Sequence, residues 1–136
     1  MREILFRGKT KDGVWYHGFI KGKSLPNYEG NKMEFTPCII EQPYADIWVI
    51  PETVGQYTGL TDKNDKKIFE GDIVVVYARG YHTVCTVSWA DVVAQFQLWQ
   101  INTVPKTSTN LNLGNYDCEV IGNIHDNPEL LKGGEG

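Results

Sequence analysis

The side chains best suited to metal-assisted chemistry are four carboxylates at turn positions: Asp62, Glu70, Asp72 and Asp126. Carboxylates that converge in a cleft can hold Mg²⁺ for phosphoryl chemistry. Each of these residues also fits an ordinary structural role, since Asp62 can organise a turn, Asp72 can bind backbone at a strand entry, and Glu70 can lie in solvent. We therefore favour structural roles and keep a carboxylate-dependent metal hydrolase as one alternative function.

The histidines and cysteines carry no metal-ligand spacing. No CxxC, HxxH or HxxxH motif occurs, and no phosphate loop, dinucleotide fingerprint or nucleophile elbow is found, so we predict no cofactor. A Cys–His nucleophile pair stays open, because such partners need not be neighbours in the chain. Three cysteines without close spacing predict reduced, buried thiols in a cytoplasmic protein rather than a disulfide framework: Cys38, Cys85 and Cys118.

A second group of residues mixes aromatic and cationic side chains. Aromatic rings stack on bases and lysines meet phosphates, so this group could form a nucleic-acid surface. The formal net charge of −4 gives no long-range attraction to nucleic acid and disfavours this function. A nucleic-acid-binding small β-barrel is therefore the other alternative, and its candidate residues are Trp15, Tyr16, Lys21, Lys23 and Tyr28.

Protein binding is the function that the residues favour. The chain has four tryptophans in 136 residues, which is more than two small β cores readily bury. Trp48 and Trp99 lie among mixed polar and apolar neighbours, which is typical of exposed anchors in protein interfaces. Packing between two domains would account for them equally well, and both interpretations stay open.

The elements that must position these residues are strands and turns. The run Thr61–Lys67 has no apolar residue and contains Asx residues that favour a tight exposed turn. Gly71 provides a bend into Ile73–Ala78, the most β-prone segment, which we expect to be buried on both faces. Other strands are predicted at residues 3–7, 14–20, 46–50, 82–89, 92–101 and 116–121.

Three further segments are assigned from their composition. Residues 21–31 are polar and Gly-rich, and 103–115 are rich in Thr and Asn, so both are predicted as loops. Residues 35–40 form at best an edge strand, because Pro37 cannot donate to a ladder. Asn127 is expected to cap one helical turn near the end of the chain.

The segment TVGQYTGLTDKNDKKIFEGDIVVV, residues 53–76, resembles the signature of the YopX family. Residues 1–7 and 120–131 fit the same family, whereas residues 21–45 match no known pattern. The resemblance implies a phage or prophage protein without an assigned biochemical function, and a two-part β fold whose C-terminal part is similar to an SH3-like barrel. One departure is Asp65, which stands where the family usually has glycine; because Asp tolerates a left-handed backbone, we expect the turn to survive.

Taken together, these patterns predict an all-β protein. An N-terminal β subdomain (residues 1–58) is expected to pack on a C-terminal SH3-like barrel or roll (residues 59–136) with one short C-terminal helical turn. The longest apolar run has six residues and the charged N-terminus does not look like a signal peptide, so we predict a cytoplasmic protein without a membrane span. The predicted function is a non-catalytic protein-binding module that acts on a host or phage protein, alone or as a homo-oligomer.

Overall fold

The computed structural model of the protein describes residues 4–26, 33–78, 81–90, 95–100, 108–110 and 117–132. The all-β prediction is confirmed, because strands form most of this part of the chain and its only helical segments are two short 3₁₀ turns. No helix within it is long and apolar enough to cross a membrane. The chain divides into two compact units, Met1–Tyr57 and Thr58–Gly136.

The first unit contains five complete strands and the start of a sixth. Antiparallel pairing gives two sheets within it, with strand orders β2-β1-β6 and β3-β4-β5. A 3₁₀ turn at Pro51–Thr53 precedes β6, which continues into the second unit. The strands are β1 (Phe6–Lys9), β2 (Trp15–Gly18), β3 (Ile20–Pro26), β4 (Met33–Gln42), β5 (Ala45–Trp48) and β6 (Gly55–Thr61).

The core of the first unit forms where β1 and β2 lie against β4. Ile40 on β4 is completely buried, and Gly18 on β2 lies so close that an added Cβ would be 3.0 Å from the Ile40 Cγ2 atom. The same added Cβ would be 2.5 Å from the carbonyl oxygen of Glu41. Glycine is therefore required at position 18 for the close approach of two backbones.

The structure corrects two predictions about the first unit. Residues 21–31, predicted as a loop, begin within strand β3. Within residues 35–40, predicted as at best an edge strand, only Ile39 and Ile40 pair on both sides, with β3 and with β5, whereas residues 35–37 pair with β3 alone. Pro37 is accommodated because it lies in the part of β4 that pairs with β3 alone, next to the register shift between Lys21 and Gly22.

The second unit contains the end of β6 and six further strands. Strand β7 pairs with β6, and the other five form an antiparallel sheet of order β11-β10-β9-β8-β12. Strand β11 was missed from the sequence, since it lies inside the predicted loop 103–115. The strands are β7 (Lys67–Phe69), β8 (Asp72–Ala78), β9 (Tyr81–Ala90), β10 (Gln95–Gln100), β11 (Ser108–Asn110) and β12 (Asp117–Asn123).

The apolar core of the second unit covers one face of this sheet. It follows the predicted alternation, so every second residue of β8, β9, β10 and β12 points into it. Within the described part of this unit the sheet is open and no closed barrel is formed, so the SH3-like likeness stays a prediction. The buried members of the core are Ile68, Val74, Cys85, Val87, Phe96, Leu98 and Cys118.

The last described element is a 3₁₀ segment at Pro128–Lys132, close to the predicted helical turn. The main-chain N–H of Leu130 donates to the carbonyl of Asn127 at 3.0 Å. The Asn127 side chain does not cap this turn as predicted: its Oδ1 accepts from the N–H of Asn123 at 3.2 Å. The amide therefore fixes the chain reversal after β12 rather than the start of the helix.

Candidate functional site

One face of the β3-β4-β5 sheet combines an exposed indole with charged neighbours. Strand register places Lys21 opposite Ile39, Ile39 opposite Trp48, and Glu41 opposite Asp46. Because cross-strand partners share a face and side chains alternate along a strand, these five residues point the same way. The completely buried Ile40, which lies between Ile39 and Glu41, points to the opposite side. We call this set of five residues the Trp48 face.

The indole is the most prominent apolar group of the Trp48 face. Trp48 is 56% exposed, and its direct cross-strand neighbour Ile39 is half-buried. The flanking residues Ile47 and Val49 are half-buried and buried, respectively, as the strand alternation requires. The predicted exposed position of Trp48 therefore has a local cause: strand alternation in β5 turns it away from the core.

The charges of the Trp48 face form one small network. The Lys21 Nζ atom lies 2.8 Å from Asp46 Oδ2 and 3.3 Å from Glu41 Oε1. Hydrogen bonds to Asp46, and then to Glu41, raise the pKa of the Lys21 ammonium. Both carboxylate side chains are almost half exposed, so water competes with Lys21 for them. Another cation can therefore replace Lys21 at little cost in free energy.

The other tryptophans are placed differently. Trp99, the second predicted anchor, lies half-buried on β10 opposite Thr86 of β9. Trp89 is 41% exposed at the end of β9, and its ring packs edge-on against Phe96 with centroids 4.9 Å apart. Trp89 lies on the same face of β9 as the buried Cys85 and Val87, at the end of the strand, where the core stops.

In the described part of the first unit, the exposed aromatic side chains outside the predicted sites are Phe19 and Tyr44. Tyr44 is fully exposed in the turn between β4 and β5, and Phe19 is exposed between β2 and β3. The turn residue Pro43 next to Tyr44 was a usable signal, because a side chain at a hairpin turn has little chance of burial. Both residues enlarge the aromatic surface of the first unit.

The predicted nucleic-acid group is not assembled on one face. Trp15 and Tyr16 are consecutive in β2 and therefore point to opposite sides. The Trp15 ring already carries two cations, with the Arg7 guanidinium carbon 4.9 Å and the Lys9 Nζ 5.9 Å from its centroid. Lys21 is engaged with the carboxylates of the Trp48 face. The side chain of Lys23 and all of Tyr28 lie outside the described residues.

Among the four predicted carboxylates, Asp62 has a clear structural role. Its Oδ1 accepts from the main-chain N–H groups of Asn64 at 2.8 Å and Lys66 at 2.9 Å. Its Oδ2 accepts from the N–H of Val120 at 2.9 Å, and the N–H of Lys63 donates to the carbonyl of Cys118. Asp62 thus closes the turn and also fastens it along the edge of β12.

The bonds to Asp62 also determine its charge state. Burial alone would raise the pKa of Asp62, but the N–H groups of Val120, Lys66 and Asn64 and the charge of Lys66 lower it by more, so the net shift is downward. The carboxylate is 6% exposed and accepts three hydrogen bonds. Most of the acceptor capacity of this carboxylate is therefore already used by main-chain amides.

The other three predicted carboxylates each have a different environment. Asp72 is buried and its Oδ2 accepts from the N–H of Phe69 at 2.7 Å, as expected for a residue at a strand entry. Asp126 is exposed and accepts from the Asn123 side chain at 3.3 Å, while Glu70 is half-buried. Over the described part of the chain, no group of three His, Cys, Asp or Glu side chains is arranged to hold a metal ion.

The three cysteines are buried free thiols, as the sequence predicts. Burial raises the pKa of Cys85 to about 11. Burial, followed by the charges of Asp62 and Asp117, raises the pKa of Cys118 to about 11. Because the thiolate is the reactive form, neither Cys85 nor Cys118 is activated as a nucleophile.

Comparisons with known proteins give a family and a fold over nearly the whole chain. The family model described as "YopX protein" matches residues 6–132. Among solved structures, the chain is similar to protein EF1440 from Enterococcus faecalis, with 26% sequence identity and a TM-score of 0.57, over 96% of this chain and 99% of that one. No curated protein matches the chain in sequence.

Proposed function

This chain belongs to the YopX protein family, and from that premise we propose that it is a non-catalytic protein-binding module. It acts in the cytoplasm as an accessory protein of a phage or prophage, on a protein of the host or of the phage. The single observation that carries this proposal is the exposed indole of Trp48 on a sheet face with a polar border. Three free, buried cysteines are consistent with the reducing compartment.

The Trp48 face has the composition of a protein-binding surface. Tryptophan is enriched among the residues that dominate binding energy, and such residues are surrounded by polar groups that exclude water. If a partner covers the exposed half of Trp48, roughly 100 Å² of apolar surface leaves water, which stabilises a complex by about 2.5 kcal/mol. That amount corresponds to at most about 60-fold in affinity.

Trp99 is a weaker candidate for the same role. It is half-buried, so a partner gains less by covering it, and its strand β10 lies within the five-stranded sheet between β9 and β11. We retain it as a second protein-binding residue of the proposal. Trp48 and Trp99 lie in different units of the chain, so substitutions at the two positions test each unit by itself.

The test is affinity capture from bacterial lysate with tagged wild-type protein and three variants, each repeated with nuclease treatment. We expect one dominant protein that survives nuclease, is lost with Trp48→Ala and is retained with Trp89→Ala. Trp89→Ala is the matched control because it also removes an exposed indole, but from the second unit. Trp99→Ala shows whether the second surface contributes.

Two outcomes would contradict the proposal. Equal capture by wild-type protein and by a correctly folded Trp48→Ala variant would remove Trp48 as the anchor. Recovery that collapses on nuclease treatment would favour a nucleic-acid-binding protein instead. Circular dichroism and thermal unfolding of each variant establish that a lost interaction does not reflect a lost fold.

A further inference from the structure

We propose that the Trp48 face binds an arginine side chain of its protein partner, with the guanidinium stacked on the Trp48 indole and paired with Asp46 and Glu41. This inference rests on the proposed function and adds the chemistry of the partner. It follows from charge complementarity on the face and from the position of the carboxylates relative to the indole.

The Trp48 face has an excess of negative charge. Asp46 and Glu41 both converge on the single ammonium of Lys21, which leaves one negative charge uncompensated. Each carboxylate is almost half exposed and therefore has oxygen lone pairs directed to solvent. The protein as a whole carries a formal net charge of −4, so its long-range field also attracts a cationic partner.

The spacing of the indole and the carboxylate suits a guanidinium. Asp46 and Trp48 are two residues apart in β5 and point to the same side, which puts them about 7 Å apart along the strand. A guanidinium stacked on the indole can reach a carboxylate at that distance with its planar N–H groups. An ammonium is more strongly hydrated and cannot bind in a bidentate manner, so arginine is favoured over lysine.

Lys21 is the internal competitor for the incoming cation. Its ammonium occupies the carboxylates in the free protein, and the bonds are exposed to solvent. Binding an arginine therefore exchanges one surface ion pair for another and adds the contact with the indole. It follows that removing the Lys21 charge should tighten binding, which is the opposite of what a merely structural role for Lys21 predicts.

The experiment uses a short fluorescein-labelled peptide of alternating leucine and arginine, titrated with the full chain at low ionic strength and followed by anisotropy. Counterpart peptides carry lysine or the neutral isostere citrulline in place of arginine. We expect the arginine peptide to bind about tenfold more tightly than the citrulline peptide and severalfold more tightly than the lysine peptide. Low salt is needed because exposed charges are screened within about 10 Å at 0.1 M.

Protein variants then locate the binding site. Trp48→Ala and Asp46→Asn should each weaken binding of the arginine peptide by about tenfold. Lys21→Gln should tighten it severalfold. Asp12→Asn and Lys11→Gln make the same charge changes at exposed positions in the β1–β2 turn, and should change the affinity by less than about twofold.

The outcomes separate this inference from the proposed function. Equal binding of the arginine and citrulline peptides, absence of binding at millimolar protein, or weaker binding to Lys21→Gln would overturn the arginine site. The lysate capture would still decide the proposed function, because it depends on Trp48 and not on the charge of the partner. A captured protein that requires Trp48 but not Asp46 would keep the function and refute the arginine site.

Discussion

The contribution of Asp62 to stability can be tested by two substitutions at the same position. Asp62→Asn keeps one acceptor oxygen for the N–H groups of Asn64 and Lys66. It also turns an amide NH₂ group towards the N–H of Val120, where the carboxylate accepted a hydrogen bond at 2.9 Å. Asp62→Ala removes all three bonds at once.

The magnitudes follow from the surroundings of each N–H group. In Asp62→Asn, the charge-assisted bond from the N–H of Val120 is lost, and this N–H faces the new amide NH₂ group, which is also a donor. We expect this change to lower the free energy of unfolding by about 2 kcal/mol. In Asp62→Ala, the N–H groups of Asn64 and Lys66 lie in an exposed turn and regain water, so each loss costs about 1 kcal/mol. With the loss at Val120 added, we expect Asp62→Ala to cost roughly 4 kcal/mol.

The assay combines urea unfolding with hydrogen exchange. For a domain of this size, about 2 kcal/mol lowers the urea midpoint by about 1 M if the slope is unchanged. The Val120 amide should lose its protection in both variants. The matched control is Asp117→Asn, an exposed aspartate on β12, which should change stability by less than about 0.5 kcal/mol.

The pH dependence gives an independent check with a definite sign. The pKa of Asp62 is held below its ordinary value of 3.8 in the folded protein, so the unfolded chain binds the proton more readily. The stabilisation is therefore complete above about pH 4 and is lost as the pH falls through the lowered, folded-state pKa. The stability difference between wild-type protein and Asp62→Asn should shrink over that acidic range. An Asp62→Asn variant as stable as wild type, with Val120 still protected, would refute the reasoning.

Two further predictions concern the turn and the thiols. Asp65 adopts a left-handed conformation with φ of 63°, so Asp65→Gly should stabilise the protein by about 0.5–1 kcal/mol in urea unfolding, whereas a loss of stability would show that the Asp65 side chain contributes more than its backbone strain costs. The pKa values of Cys85 and Cys118 are raised to about 11 by burial, so a thiol-specific colorimetric reagent at pH 8 should label neither in the native protein and both in denaturant. Rapid native labelling of Cys85 or Cys118 would contradict the burial of the core.

The sequence named Trp48 as a candidate exposed residue and left its burial between two domains open, and the structure gives a local reason for its exposure. The alternation Asp46-Ile47-Trp48-Val49 is enough to turn the indole outward, because side chains on a strand alternate between faces. The same rule correctly put Cys85 in the core of the second unit. Whether an alternating aromatic is covered depends on how far the neighbouring strands extend, which explains why the exposure of Trp89 could not be predicted.

Clusters of side chains that come from distant parts of the chain could not be predicted from the sequence. Lys21 looked like a free cation in a polar loop, and only the pairing of β3 with β4 and of β4 with β5 brings Glu41 and Asp46 to it. Pro37 argued against a central strand, and only the register of the sheet shows that β4 becomes central at Ile39, beyond Pro37. In each case the deciding contact joins residues that no local rule connects.

The sequence by itself determined the all-β class, the family, and the tight turn with its left-handed position at Asp65. These features depend on local backbone preference and on the period-two alternation of a strand. The tertiary structure alone decided that Asp62 fastens the turn to the edge of β12, and that Trp48 shares a face with Lys21, Glu41 and Asp46. The reason is that strand order and register, which bring distant residues together, are determined by the packing of the whole fold.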